Sequence, residues 1–243
     1  MRLRLSRVAI PAAVSRMKAP TASSIMATST IARCSFTYWA SLPTVGEGQV
    51  LRFESVTSTQ DIARELPVGS IVVANHQTAG RGRLDRRWDS PPGTALLVSF
   101  VLKPNPVLSL AAGVAAAEAC GAGVRLKWPN DLLLDGRKLG GILVEARADK
   151  AICGIGINMT WAPEGGVQLN APRDEVLARL RKKLDRWTLS TPEDALARWR
   201  ELSATLGRRV RIDGAEGFAE DIGPRGELIV DGVAYVTGSV THL

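Results

Sequence analysis

The sequence is poor in the residues that several common chemistries need. Cysteine occurs three times, as Cys34, Cys120 and Cys153. That odd number at wide spacing excludes a disulfide framework and any Cys-x-x-Cys metal or redox pair. The three read instead as small buried hydrophobes. Histidine occurs twice, and His76 and His242 are too far apart to suggest a metal site. No Ser-His-Asp or Cys-His arrangement can be assembled for covalent catalysis. Every long apolar run is broken by a charge, Gly or Pro short of the roughly 18–20 residues of a membrane-spanning helix. A Walker loop is missing as well, because no G-x-x-x-x-G-K-[ST] occurs and the G-x-G-x-x-G reading that starts at Gly80 and Gly82 fails at Asp85.

Acidic residues are absent from the first 46 positions. Arg2, Arg4, Arg7, Arg16, Lys18 and Arg33 stand there with no acid before Glu47. This stretch supplies +6 of the net charge of +7, leaving 25 basic against 24 acidic residues in the rest. A chain of this overall charge raises the question of nucleic acid, and the near-neutral body argues against it. The basic leader, residues 1–46, is rich in Ser, Thr and Ala and has no steady apolar period. It is expected to be disordered or not native, and its composition is that of an organelle transit peptide. An upstream start is the other reading, with Met17 and Met26 as alternative initiators. No apolar segment with a small-residue cleavage site follows, so secretion is not expected. The expected location is the cytoplasm, or an organelle if the leader is a transit peptide.

What is present is a regular body of 45% apolar and 23% charged residues, enough for one substantial domain and a small appendage. Residues 50–56 alternate as a half-buried strand. Ser58, with Asp61 three positions on, offers a cap for a short helix to about residue 66. Residues 71–74 and 94–102 are buried strands, flanking a long loop over 77–88 that holds glycines and four arginines. An Ala-rich segment, 107–120, suits a helix packed on a sheet. Strands are expected at 124–128, 131–134, 138–146 and 151–158, with an Asp135-Gly136 hairpin turn, then amphipathic helices over 173–187 and 192–206. From 208 to 243 short strands alternate with glycines, the pattern of a small β-barrel. The order of elements indicates an α+β fold with a mixed sheet. A catalytic domain over 47–206 and a C-terminal domain over 207–243 are expected.

Three segments can carry chemistry. In the arginine loop, glycines let backbone N–H groups approach an anion, and guanidinium forks match carboxylate or phosphate. Unpaired arginines among glycines are expected to adopt one geometry only when an anion arrives. The bland alternative is a solvated basic loop. The second segment, Lys127-Trp128-Pro129-Asn130-Asp131, leaves a polar pair at a sheet edge where a carboxylate can reach a metal ion or a ribose. Lys138 then opens an apolar strand through Gly140 and Gly141, where a turn charge and a bulge are the plain readings. The third holds Gly154, Gly156 and Asn158, a strand stripped of side chains as if something flat lies against it.

Ser-Thr-Gln, Gln-x-x-Gly-Arg-Gly-Arg…Trp, Lys-Trp-Pro-Asn-Asp, Arg-Lys-Leu-Gly-Gly-Ile-Leu-Val-Glu and Gly-Ile-Asn-Met, in this order and spacing, resemble the biotin protein ligases. The resemblance covers about residues 50–160 strongly and the C-terminal segment weakly. It implies an α+β catalytic domain of the class II aminoacyl-tRNA synthetase and biotin protein ligase type, with a small C-terminal SH3-like β-barrel. It also implies that biotin and ATP are joined to biotinyl-5′-AMP and pyrophosphate. The biotinyl group then passes to one lysine of a biotin carboxyl carrier protein or domain. By matching positions, Ser58, Thr59, Gln60, Gln77, Arg81, Gly82, Arg83, Lys138 and Gly141 would bind biotin. Arg83, Trp88, Asn130, Asp131, Lys138 and Asn158 would bind ATP, with Trp88 against adenine and Asp131 on Mg²⁺. Lys138, Arg81 and Arg83 would be the catalytic cations.

The chemistry suits this set, since adenylation forces two anions together and needs fixed positive charge rather than a general base. Two departures from the family pattern stand out. Leu84-Asp85 replaces the common Arg-Gly, and the added acid is expected to loosen the loop's hold on the adenylate. Gln60 stands where Asn is common. No helix-turn-helix can be fitted into residues 1–46, so DNA binding is not expected. No membrane partner is expected either, and a homodimer is left open. The nearest rival is a lipoate-attaching ligase, against which the Gln-x-x-Gly-Arg-Gly-Arg loop counts. A nucleic-acid-binding module is a rival of another class.

Overall fold

The structure, a computed structural model, describes residues 48–243. The basic leader and Cys34, with every expectation attached to them, lie outside the described residues. The described residues fall in one compact unit.

The chain opens with β1 (Val50–Val56) and the short helix α1 (Thr59–Ala63), whose N-cap is Ser58. The helix ends sooner than the sequence suggests. Its last turn tightens to i→i+3 hydrogen bonds, Glu65 to Ile62 and Leu66 to Ala63, ahead of Pro67, which disfavours helical backbone in the residue before it. There follow β2 (Ile71–Gln77), β3 (Ala95–Leu102), α2 (Leu108–Cys120), β4 (Arg125–Lys127), β5 (Asp131–Leu134), β6 (Arg137–Ala146) and β7 (Ala151–Asn158). These seven strands form one sheet in the order β1-β2-β3-β7-β6-β5-β4. The β1–β2 pair is parallel and the other pairs are antiparallel, so the sheet is mixed, as the sequence indicates. Asp135 and Gly136 both have positive φ and make the expected hairpin turn between β5 and β6.

Helix α2 is apolar almost all round because it is enclosed. It packs on the sheet and on α3 (Arg173–Leu189) and α4 (Pro192–Leu202), and its alanines let these neighbours approach. Helix α4 stops four residues before the expected end. Ser203 Oγ takes the N–H groups of Thr205 and Leu206, and Ala204 N–H bonds Leu126 O at 2.7 Å, which draws the chain onto β4. Cys153 is buried and Cys120 partly buried, and burial raises both thiols to about 12, in keeping with inert core cysteines.

The C-terminal segment forms β8 (Arg209–Ile212), β9 (Ala215–Ile222), β10 (Leu228–Val230), β11 (Val233–Tyr235) and β12 (Val240–His242). They make a five-stranded antiparallel sheet ordered β11-β10-β9-β8-β12, an SH3-like arrangement. Thr205, fully buried, accepts a hydrogen bond from Trp128 N–H at 3.0 Å and lies 3.2 Å from His242 Nε2. This short chain ties the last strand to the start of the Trp128–Asp131 turn.

Two predictions follow from these packed polar groups. Glu118, on α2, receives hydrogen bonds from Lys183, Trp187 and Arg198 at 2.9, 3.2 and 3.0 Å. Burial opposes its charge, but those three donors prevail and hold its pKa below the ordinary value. Glu118→Ala strands the donors, so denaturant unfolding should show a loss of about 1–3 kcal/mol. The second concerns acid. Burial, then Lys127 and Arg208, push the His242 imidazole down to about 4 from an ordinary 6.5. The unfolded chain therefore binds a proton that the folded chain refuses between those values. Stability from this source is complete above pH 6.5 and is lost as pH falls toward 4. The Tm of His242→Gln should depend on pH less steeply than the parent's over that window.

Candidate active site

One face of the sheet opens into a cavity of about 370 Å³. Its lining gathers residues from α1, the 77–88 segment, the Trp128–Asp131 turn, β6, β7 and the approach to β12.

The 77–88 segment is a hairpin rather than an open loop. Trp88 N–H bonds Gly80 O at 3.0 Å, Gly82 N–H bonds Arg86 O at 2.7 Å, and Arg86 N–H bonds Arg83 O at 3.2 Å. At its tip Leu84 and Asp85 have φ of 54° and 56°, the positive values at both central positions that a type I′ turn requires. This gives the departure at Leu84-Asp85 a backbone meaning. Aspartate tolerates the left-handed region, whereas leucine there costs about 1–2 kcal/mol. A side chain on Gly80 would run into Trp88 O at 2.3 Å, so that position needs glycine for close approach of the two hairpin arms.

The arginines of the hairpin have partners in this structure. Arg81 meets Asp61 at 2.7 Å and Glu145 at 3.5 Å. Arg83 donates to Thr237 Oγ1 at 2.8 Å, Asn130 Oδ1 at 3.3 Å and Gly238 O at 3.4 Å. Arg86 reaches Ser239, and Arg87 reaches Thr78 O and Asp89. Burial is the main reason that the Arg83 pKa is lowered, with Asp131 opposing and Arg86 adding to it.

At the other end of the cavity, Thr59 N–H and Oγ1 both donate to Gln77 Oε1, at 2.7 and 2.9 Å, and Thr59 Oγ1 shares a 2.8 Å hydrogen bond with Ser99. Ser58 caps α1. Gln60 donates to Leu143 O at 2.9 Å and lies on Gly154, where an added Cβ would come within 3.0 Å of its amide. These fixed polar groups sit beside the apolar lining of Leu97, Val98, Ile142 and Ile155.

The glycine strand has its flat partner within the chain. Gly141 and Gly156 face each other across β6 and β7, and the Trp88 indole rests on them. A Cβ on Gly156 would stand 2.7 Å from Trp88 Cε2. Trp88 Nε1 is buried without a hydrogen-bond partner. Gly140 has its own reason to be glycine. The β5–β6 register shifts between Leu132 and Leu133, so the bulge falls at Leu139 rather than at Gly140-Gly141, and a Cβ on Gly140 would meet Gly156 O at 2.6 Å.

Lys138 Nζ lies 2.7 Å from Asp131 Oδ1, and both line the cavity. Asn130 Nδ2 donates to Ile142 O at 2.7 Å, which pins the turn to the sheet. Every candidate residue lines this one cavity except Asn158. Asn158 is buried behind it and donates to Val167 O and Lys138 O at 3.1 and 3.4 Å. It steadies the strand end that carries Lys138. Arg81 lines the cavity too, and there its guanidinium is paired with two carboxylates, Asp61 and Glu145.

Lys127 and the 238–241 segment line the cavity as well, and sequence reasoning gave neither a role. Lys127 could have been found, since it opens the Lys-Trp-Pro-Asn-Asp motif; burial, reinforced by Lys138 and Arg86 against Asp131, lowers its pKa. The 238–241 segment carries no local signal. Among the described residues no three His, Cys, Asp or Glu side chains form a metal cluster. Asp131 alone still fits Mg²⁺ that arrives with a nucleotide, since that ion takes one or two carboxylates and fills its shell with phosphate oxygens and water.

Comparison with known proteins agrees with this geometry. Residues 50–159 match the biotin/lipoate A/B protein ligase family. The biotin–[acetyl-CoA-carboxylase] ligase of Mycobacterium tuberculosis is 34% identical over 212 residues, 72% of this chain and 79% of that protein. The bifunctional ligase/repressor BirA of Bacillus subtilis is 42% identical over 137 residues, 48% of this chain and 42% of that protein. The biotin protein ligase from Aquifex aeolicus in complex with biotin and ATP superposes with a TM-score of 0.68 at 27% identity, covering 80% of this chain and 98% of that one. The chain belongs to the biotin/lipoate A/B protein ligase family.

The glycine floor yields a test. Gly156→Val should displace the indole and leave strand β7 intact, because valine suits a strand. Tryptophan emission should become more accessible to acrylamide, and the increase should vanish when Trp88→Phe is added.

Proposed function

We propose that this chain is an ATP-dependent biotin protein ligase, which activates biotin as biotinyl-5′-AMP and transfers it to a lysine of a biotin carboxyl carrier domain. One observation carries the reading: a pocket with fixed amide and hydroxyl groups at one end is continuous with a Lys138–Asp131 pair and an arginine hairpin at the other. Polar groups on Thr59, Gln60 and Gln77 suit the ureido ring of biotin, and the apolar strip suits its thiophane and chain. The relatives named for biotin favour it over lipoate.

In the first step a biotin carboxylate oxygen attacks the α-phosphorus, a P–O bond forms, and pyrophosphate leaves with the electrons of the broken P–O bond. Lys138, with Lys127 beside it, offsets the repulsion of the two anions and holds charge that develops on the α-phosphoryl oxygens. Mg²⁺ would be held by Asp131 and would neutralise phosphate charge. In the second step a carrier lysine amine attacks the acyl carbon and AMP leaves. Arg83, between Asn130 and Thr237, keeps the mixed anhydride until then. Trp88 offers its ring to adenine.

A cytoplasmic site of action, or an organelle if residues 1–46 are a transit peptide, belongs to this proposal. So does a ligase that does not bind DNA, with the homodimer open. The BirA relative is named as a repressor too, and a gel shift at physiological salt separates the two readings.

Incubation with biotin, MgATP and a biotin carboxyl carrier domain should add the mass of one biotinyl group to the carrier; no gain would overturn the proposal. Lys138→Ala should cut pyrophosphate release by about 10²–10³-fold. Arg83→Gly should still form biotinyl-AMP but release it about 10- to 100-fold faster, the loss of a charge-assisted hydrogen bond. Leaked anhydride would then biotinylate bystander proteins that the parent ignores.

A further inference from the structure

Four charged side chains form a closed ring, of which only Arg81 also lines the cavity. Asp61 Oδ1 takes Arg64 Nη1 and Arg81 Nη1, each at 2.7 Å. Glu145 Oε2 takes Arg64 Nη2 at 2.6 Å and Nε at 3.0 Å, and Glu145 Oε1 faces Arg81 Nη2 at 3.5 Å. The side chains are 28–34% exposed. Two cations balance two carboxylates, so the ring presents no net charge to a substrate. It joins three elements: α1, which carries Thr59 and Gln60; β6, which carries Lys138; and the first arm of the arginine hairpin. The ring is the stem's side-chain attachment, whereas Arg83 and Arg86 bond the 237–239 segment.

We propose that Asp61 and Glu145 are positioning residues that fasten the stem of the hairpin, through Arg81, to the helix lining the biotin end of the pocket. Their work is retention of the adenylate, not formation of it. The inference rests on the ligase reading, and one readout does not depend on that reading. Arg64 makes the ring stiff, since it bridges both carboxylates from α1 and holds them apart at the spacing that the Arg81 fork needs. A fastened stem sets the direction in which Arg83 leaves the hairpin and where Trp88 returns to the sheet.

The experiment compares the parent with Asp61→Asn, Glu145→Gln and the charge-conserving Glu145→Asp. Tryptic cleavage within residues 81–87 of the ligand-free full chain measures fastening directly. It should rise about tenfold in Asp61→Asn and Glu145→Gln, the effect of one charge-assisted hydrogen bond, and stay nearer the parent rate in Glu145→Asp, which keeps the charge and every tryptic site. Biotinyl-AMP release should quicken by a similar factor, while pyrophosphate formation stays within about threefold. Unchanged cleavage in both single variants would overturn the proposal, whether or not the chain makes an adenylate. So would a fall in pyrophosphate formation as large as the change in retention, which would place Arg81 among the groups that stabilise the reacting phosphate. A chain that makes no biotinyl-AMP but shows the cleavage pattern would keep the fastening and refute the ligase reading. Circular dichroism separates local release from misfolding: loss of the parent's spectrum in both single variants, with Glu145→Asp no better, counts against the proposal.

Discussion

Cations crowded round a cavity repel one another, and the architecture of this site is a solution to that repulsion. Six basic side chains, Arg81, Arg83, Arg86, Arg87, Lys127 and Lys138, share the lining with a single carboxylate, Asp131. Before any anion binds, each must be held in place by something other than substrate. Asp131 does this for Lys138, and Asp61 with Glu145 does it for Arg81. Arg83 and Arg86 use neutral acceptors on the C-terminal segment instead, which position a guanidinium without cancelling its charge. The difference sorts the cations. Arg83 and Arg86 keep their full field for a phosphate, Lys138 shares its charge with the single carboxylate of the lining, and Arg81, between two carboxylates, serves as a fastener.

Much of the fold was legible in the sequence because its signals are local. The strands at Ile71–Gln77, Ala95–Leu102 and Ala151–Asn158 follow from apolar runs, and α2 follows from an alanine-rich stretch whose polar side chains are only Ser109 and Glu118. Helix ends were less legible. The stop of α4 at Leu202 is set by the Ser203 hydroxyl together with Leu126 on a distant strand, and only the first of these is local. The grouping of site residues was legible as motifs, whereas the side-chain geometry was not. Arg81 looked like its neighbour Arg83, since the two differ only in partners 20 to 155 positions away in the chain. Likewise Asn158 looked like a pocket residue, but its neighbours turn it to the backbone of Lys138 and Val167.

The C-terminal sheet belongs to the site through the 237–239 loop and the start of β12. Thr237, Gly238 and Ser239 receive the hairpin, and the Thr205–His242 contact holds the following strand against the Trp128–Asp131 turn. A segment with weak sequence resemblance to the family thus closes one wall of the cavity. Its contribution is backbone carbonyls and hydroxyls presented at a fixed height. That demand falls on loop length and strand anchoring as well as on the hydroxyls of Thr237 and Ser239.

The indole of Trp88 lying on Gly141 and Gly156 has a consequence for affinity. A flat ring already covers the bare backbone of two strands and shields it from water. A planar guest that stacks on the cavity side of the indole therefore meets a ring that the glycine floor and a short hairpin already hold in place. Little ordering of the ring remains to be done when the guest arrives, so more of the stacking energy appears as affinity.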